Sequence, residues 1–445
     1  MSSSSHETLV GIPTIPSTMT PRLEKVNGLS RRIHGWSWQA FPIGMGTGAV
    51  YVTLSSLKDH PGNALTTVET IFFFLNVALF LLNSSTLLLQ LIVYPRQARR
   101  LITDPVKGIF VPLIVLSFAT IIIGTINYIL PTGHISPTFI FCLFWIYVSF
   151  SVFVCFPMLM IWFNKPHDLT TFTPAWAFLV FPMMLVGVVA FNVLRVLPVD
   201  GSRALGVLLT GYVFQGLGFF MTFFYICIYI LRIMTTGFLE GHQANGAFVA
   251  CGPPGFTALA LINLAERGQP ILKAHGLVSD LAGEIWYASS VLGALMLFGL
   301  AVFFFVFGAL PYWFKLHKHL SEILGCWALT FPNVGWILCI KKFGDIFELR
   351  GFYIWHFTMV ILMCATWIIL FVLTVVAFWK GKIFMASEED VLKDIRAAKQ
   401  RTPRDIEMAL ARTGHFAVSI VSPEVSPRSS AEKERPPPPA LMRSF

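Results

Sequence analysis

Between residues 38 and 379 the chain runs through ten apolar stretches long enough to cross a bilayer, near 38–57, 68–93, 108–130, 138–162, 174–198, 204–232, 246–265, 283–309, 320–340 and 352–379. Hydrocarbon offers no partner to backbone N–H and C=O groups, so a spanning segment must be a helix or part of a closed barrel. Stretches of about 20 residues have helical proportions. Only 12% of the 445 residues are charged and 55% are hydrophobic, whereas a soluble domain carries about 25% charged residues. The expected fold is all-α and polytopic. Basic residues outnumber acidic ones 32 to 23, but they gather in the termini and short loops. That pattern reads as orientation and lipid-headgroup contact, not nucleic-acid binding.

A second regularity lies inside the first. Every odd-numbered stretch carries an interior proline: Pro42, Pro112, Pro182, the pair Pro253-Pro254, and Pro332. Counting from Pro254, consecutive spacings are 70, 70, 72 and 78 residues. The local context recurs in Phe41-Pro42, Phe181-Pro182 and Phe331-Pro332, with small residues close by at Gly44, Gly46, Gly48, Gly187, Gly252, Gly255 and Gly335. Such periodicity marks a repeat architecture. Proline removes a backbone donor and frees a carbonyl one turn back, which kinks a helix. In a membrane such a break is tolerated where protein or a water-filled cavity re-satisfies the backbone. The expectation is ten transmembrane helices arranged as five helical hairpins around a central pore. The kinked odd helix of each hairpin lines the pore and the even helix faces lipid.

An even number of spans puts both termini on one side. The short loops carry equal basic counts on the two sides, so the tails decide. Arg22, Lys25, Arg31 and Arg32 precede the first span, and Lys380, Lys382, Lys393, Arg396 and Lys399 follow the last. Both termini are expected in the cytosol. Residues 1–35 read as a disordered tail, 36–380 as the transport domain and 381–445 as a mostly disordered cytosolic tail. That last tail holds one short amphipathic helix from Ser387 to about Gln400, stopped by Pro403. The Ser422-Pro423 and Ser426-Pro427 pairs and the run Pro436 to Pro439 mark disorder beyond it. The seven cysteines form no CxxC pair and suggest neither a metal site nor a disulfide framework. No P-loop or catalytic constellation is visible, and neither a cofactor nor enzymatic activity is expected.

Several side chains stand out as site candidates. No Lys or Arg lies near the centre of any span, so an anion crossing here must be held by dipoles and by polar groups such as Thr47, Thr257, Thr330 and Asn333. The string Gly252-Pro253-Pro254-Gly255 either splits the seventh span into half-helices, whose N-termini attract anions, or simply kinks it. Arg195, Lys341, Lys342 and Arg350 fall at the expected outer side. They read either as a basic funnel for anions or as snorkelling side chains. Glu69, Asn76, Asn83 and Gln90 recur every seven residues on the second span. Interhelical hydrogen bonding accounts for such a stripe, and Glu69 is also a candidate proton carrier.

The strings WQAFPIGMGTG (38–48), TPAWAFLVFPMMLVG (173–187), FQGLGF (214–219), GPPGFTALALINLA (252–265) and FPNVG (331–335) resemble a known family. It comprises tellurite-resistance and dicarboxylate transporters, plant slow-type anion channels and fungal sulfite pumps. The match is strongest to the fungal malic-acid permeases of the C4-dicarboxylate branch, and it spans nearly all of residues 36–380. The first string departs from the Thr-Gly-Gly element of those permeases by carrying a proline. The resemblance implies ten helices around a pore, a homotrimer in the plasma membrane, and a pore gate at Phe331. A hydrophobic plug there would strip ions of hydration, with Phe41 and Phe181 adding to the constriction. It further implies transport of C4-dicarboxylates such as malate, channel-like or proton-coupled. A sulfite efflux pump or inorganic anion channel is the alternative on the same scaffold, and a sensor acting through the C-terminal tail is a third.

Overall fold

The computed structural model describes residues 26–57, 63–239, 241–312 and 320–399, and every regular element among them is helical. In order these are α1 (Gly28–Gly35), α2 (Phe41–Ser55), α3 (Asn63–Val93), α4 (Pro95–Thr103) and α5 (Leu113–Gly124). Then follow α6 (Pro137–Phe163), α7 (Phe181–Val193), α8 (Ser202–Thr236), α9 (Gly252–His275) and α10 (Ala282–Tyr312). The last four are α11 (Ile323–Cys326), α12 (Val334–Phe347), α13 (Arg350–Trp379) and α14 (Glu388–Lys399). The expected tail helix from Ser387 corresponds to α14, while Pro403, the Ser-Pro pairs and the polyproline run lie outside the described residues.

Eight helical stretches are long and apolar enough to cross a membrane: 64–93, 108–132, 137–163, 202–236, 246–275, 282–310, 323–347 and 350–379. The first and fifth expected spans are represented instead by the shorter helices α2, with 15 residues, and α7, with 13. At 1.5 Å per residue these reach about 20 Å, short of a hydrocarbon core of about 30 Å. The remainder of each apolar run is wound as 3-10 helix, at Trp38–Ala40 and Pro174–Leu179.

The prolines explain this construction. Pro42, Pro182 and Pro253 occupy the first turn of α2, α7 and α9, and Pro112 caps α5. Pro332 sits in the 3-10 turn Phe331–Asn333 that leads into α12. A first-turn proline sacrifices an N–H that has no intrahelical partner anyway. The chain therefore changes from 3-10 to α at the proline, where a bend within one continuous α-helix was expected. The seventh stretch follows suit, with a 3-10 segment Gly241–Cys251 running into α9 in place of two α-helical halves.

Helices α2, α5, α7, α9 and α12 close a ring, each packing on the next and α12 packing back on α2. Long helices α3, α6, α8, α10 and α13 each pack on the ring helix that precedes them in sequence. Burial separates the two sets. In the apolar windows of 108–132, 246–275 and 323–347, 72–89% of residues are buried, against 17–33% in the five long helices. All of α7 is buried. The closest approach in the ring is between α9 and α12, where a Cβ on Gly255 would lie 2.8 Å from the Trp336 amide nitrogen, and one on Gly335 would strike the Phe256 backbone. Small residues substitute here for the hydrophobic drive that membrane helices lack.

Residues 28–35, assigned to a disordered tail from sequence, are helical. Asn27 caps them, accepting from the Leu29 amide at 3.3 Å. Arg31 donates through Nε to the Ala386 carbonyl at 3.0 Å, and the Arg32 guanidinium lies 3.9 Å from the Phe378 ring centre. These contacts supply the ordering that composition alone did not promise.

Candidate functional site

Two cavities enter the ring from opposite ends of its helices. One, of about 330 Å³, is bordered by the C-terminal parts of the ring helices, including Val52 and Ser55 of α2, Ile123 of α5, Val188 and Asn192 of α7, Asn263 of α9, and Leu338, Lys341 and Lys342 of α12. The other, of about 460 Å³, is bordered by the 3-10 segments and first turns that precede those parts: Gln39 and Pro42, Ile109 and Phe110, Trp176 and Phe178, Val249, and Trp327 and Pro332. We call them the polar and the aromatic cavity. Among the described residues, Lys107 is the single charged one bordering the aromatic cavity. Of the described residues, Phe331 alone borders both.

Phe331 is held by two other rings. Its centroid lies 5.1 Å from that of Phe256 and 6.4 Å from that of Phe181, and Phe181 and Phe256 stand 5.7 Å apart, edge to face. Such offset and edge-on pairs are worth about 0.5–1.5 kcal/mol each beyond the area they bury. Local sequence builds the cluster: Thr330 leaves helical geometry (φ −101°, ψ −88°), which turns the Phe331 side chain inward between two helical segments. Phe256 belongs to the cluster although sequence reading did not give it this place. Its signal was present, directly after the Gly252-Pro253-Pro254-Gly255 string. Phe41 lies elsewhere, its ring 6.2 Å from Trp38 and 6.0 Å from Phe80.

The repeat prolines divide. Pro42 and Pro332 border the aromatic cavity, whereas Pro112, Pro182, Pro253 and Pro254 border neither cavity. The Pro182 carbonyl accepts from the Tyr147 hydroxyl at 2.9 Å, fastening α7 to α6. None of the four residues proposed to touch an anion borders either cavity. The Thr47 hydroxyl donates to the Ile43 carbonyl (2.9 Å) and accepts from Trp367 Nε1 (3.1 Å). The Thr257 hydroxyl donates to the Pro253 carbonyl (2.7 Å) and accepts from Gln215 Nε2 (2.8 Å). The Thr330 hydroxyl donates to the Trp327 carbonyl at 2.7 Å. Asn333 donates to the Leu329 carbonyl and accepts from Trp336 Nε1, both at 2.8 Å. In a medium without water, polar side chains satisfy the backbone and one another first.

Three of the four basic candidates do converge. Arg195, Lys341 and Lys342 all border the polar cavity, while Arg350 is exposed at the start of α13 and does not. Lys341 Nζ donates to Asp345 at 3.1 Å and Lys342 Nζ to Glu266 at 2.6 Å. Arg195 Nη1 donates to Asn127 Oδ1 at 3.1 Å and meets Asn192 Oδ1 at 3.4 Å. Arg267 is a second cation close to Arg195. Asn127 stands on a π-helical turn, Thr125–Ile129, that follows α5.

The seven-residue stripe on α3 is a ladder of interhelical bonds. Asn76 Nδ2 donates to Thr120 Oγ1 at 2.8 Å, and Asn83 Nδ2 to the Ala40 carbonyl at 3.1 Å. Gln90 Nε2 reaches the carbonyls of Ile33, His34 and Trp36 at 2.9–3.0 Å. Glu69 Oε2 accepts from the Tyr128 hydroxyl at 3.1 Å, and all four stripe residues are buried.

A helical ring hollowed from both ends and closed by one aromatic cluster has the build of a membrane channel or transporter. The family described as "SLAC1: Voltage-dependent anion channel" matches residues 35–375, and the chain belongs to it. A malic acid transport protein of Schizosaccharomyces pombe is 29% identical over 354 residues, covering 79% of this chain and 80% of that protein. A sulfite efflux pump of Arthroderma benhamiae is 26% identical over 352 residues, covering 77% and 89% respectively. An uncharacterized transporter of Methanocaldococcus jannaschii is 23% identical over 364 residues, covering 78% and 96%.

Proposed function

We propose that this protein moves C4-dicarboxylates such as malate across the plasma membrane, as a channel-like or proton-coupled permease whose gate is Phe331. The observation that carries the reading is that Phe331 alone, of the described residues, borders both the polar and the aromatic cavity. The substrate follows from the similarity to malic acid transport proteins. In this reading α2, α5, α7, α9 and α12, with their 3-10 lead-ins, are the pore-lining members of five hairpins that make ten membrane crossings. Residues 36–380 form the transport domain, 381–445 a cytosolic tail, and the functional unit is a homotrimer. With both termini in the cytosol, the polar cavity opens to the outside.

Energetics shape the mechanism. Drawing a dianion inward against about 100 mV, negative inside, costs roughly 4.6 kcal/mol, or more than three decades in concentration ratio. An uncoupled pore therefore favours export, and import calls for a protonated form of the acid or a co-moving proton. Glu69, buried and bonded to Tyr128, is the candidate proton carrier. Sulfite efflux is the second reading, favoured by the similarity to sulfite efflux pumps. The test is reconstitution in liposomes with malate, succinate, sulfite, nitrate and chloride at two pH values and clamped potentials. Malate flux is the expected result. Sulfite or chloride flux without malate flux overturns the first reading in favour of the second.

A further inference from the structure

The charges of the polar cavity are unequal in their freedom. Lys341 and Lys342 each hold a carboxylate, on Asp345 and Glu266. Arg195 faces no carboxylate among the described residues, and its bonds run through one nitrogen to neutral amide oxygens. A guanidinium offers five N–H donors in a planar fork that matches a carboxylate in two-point contact. The Asn192 side chain is anchored by donating to the Val188 carbonyl at 2.9 Å. Asn127 sits on the π-helical turn, an irregularity often found at functional sites. The two amides fix the guanidinium from the turn after α5 and from α7, and leave Nε and Nη2 of Arg195 without a protein acceptor among the described residues. The cavity, about 330 Å³, lies at the small end of the range for small-molecule sites, about 300–1,000 Å³.

We propose that Arg195, oriented by Asn127 and Asn192, is a carboxylate-binding site in the polar cavity, where a small organic anion is held before it meets Phe331. This goes beyond a diffuse basic funnel. A funnel needs only positive charge, whereas a fork needs the guanidinium geometry. Arg267 is a second cation close by, so the preference for a carboxylate rests on the shape of the fork and not on a count of charges. The inference rests on the organic-anion reading above, and its test separates the two.

The experiment measures initial rates of malate uptake by the full chain in liposomes over a concentration series, for wild type, Arg195→Lys, Arg195→Gln and Asn127→Ala. Replacing a charged hydrogen-bonding partner costs about tenfold or more in affinity. KM is expected to rise about tenfold in Arg195→Lys, further in Arg195→Gln and less in Asn127→Ala, with Vmax within about twofold of wild type. A wild-type KM in Arg195→Lys shows that charge alone suffices and overturns the fork. A fall in Vmax at unchanged KM in all three variants marks a structural role and overturns it as well. If wild type carries sulfite but no malate, the function reading fails, and the same series is run with sulfite. Unchanged KM there overturns the Arg195 site, and a raised KM retains it for another anion.

Discussion

At the scale of single residues, Phe331 and Phe256 make the sharpest predictions. Phe331 has its ring edge and face engaged by Phe181 and Phe256 and is 5% exposed between two cavities. Removing it joins those cavities, and a wetted passage conducts where a dewetted one does not. Phe331→Ala is expected to raise anion leak in liposomes severalfold, and unchanged flux in a well-folded variant counts against the gate. Phe256→Ala removes the closer of its two supports and should raise leak to a lesser degree. Phe41→Ala, whose ring packs on Trp38 and Phe80, should leave leak at the wild-type level. The contrast also marks what a sequence can disclose. The Phe-Pro step made Phe41, Phe181 and Phe331 look equivalent, but a side chain's direction depends on backbone geometry such as the non-helical Thr330, which spacing does not encode. Thr47, Thr257, Thr330 and Asn333 were singled out as polar groups in apolar spans. Their true partners, Trp367, Gln215, the Trp327 carbonyl and Trp336, include groups on neighbouring helices that no local pattern names.

At the scale of elements, the ring depends on backbone contact and the long helices on scattered hydrogen bonds, and the two should differ in energetic weight. Interhelical side-chain bonds in membrane proteins average about 0.6 kcal/mol. Asn83→Leu, which forfeits the bond to the Ala40 carbonyl, should lower stability by about that amount. Gly335→Leu drives a side chain into the Phe256 backbone, where no flexible neighbour can yield, so α9 and α12 must separate. Overpacking of this kind typically costs about 1–3 kcal/mol or more. Thermal unfolding in detergent should therefore show a small loss for Asn83→Leu and a several-fold larger one for Gly335→Leu. Equal losses would argue against the glycine crossing as the ring's tightest joint. The all-helical class was legible in advance from the apolar stretches, but eight helical stretches, not ten, are long and apolar enough to cross a membrane. The repeat by itself predicts bends within continuous helices at the prolines. Their place at the 3-10 to α transition follows from the cheapness of a proline in a first turn, a local preference the repeat alone did not reveal.

At the scale of the whole molecule, the outstanding question is whether the field at the polar cavity matters apart from any contact within it. Arg195, its neighbour Arg267, Lys341 and Lys342 contribute four positive charges, and Asp345 and Glu266 subtract two, leaving a net charge of two. Replacing both lysines by glutamine brings that balance to zero without touching Arg195. If the native mouth concentrates anions, a neutral one does not, and the effect operates over a distance set by screening. The Debye length is about 30 Å at 0.01 M ionic strength and about 3 Å at 1 M. Malate flux through Lys341→Gln/Lys342→Gln should therefore fall clearly below wild type at 0.01 M and converge with it as salt rises to 1 M. KM should carry the change and Vmax should not, because the field acts before entry and not at Phe331. A deficit that persists at high salt would mean that the lysines act through their ion pairs with Asp345 and Glu266, holding α12 in place, and not through their charge. Equal flux at every salt concentration would leave the mouth without electrostatic function and confine anion recognition to Arg195.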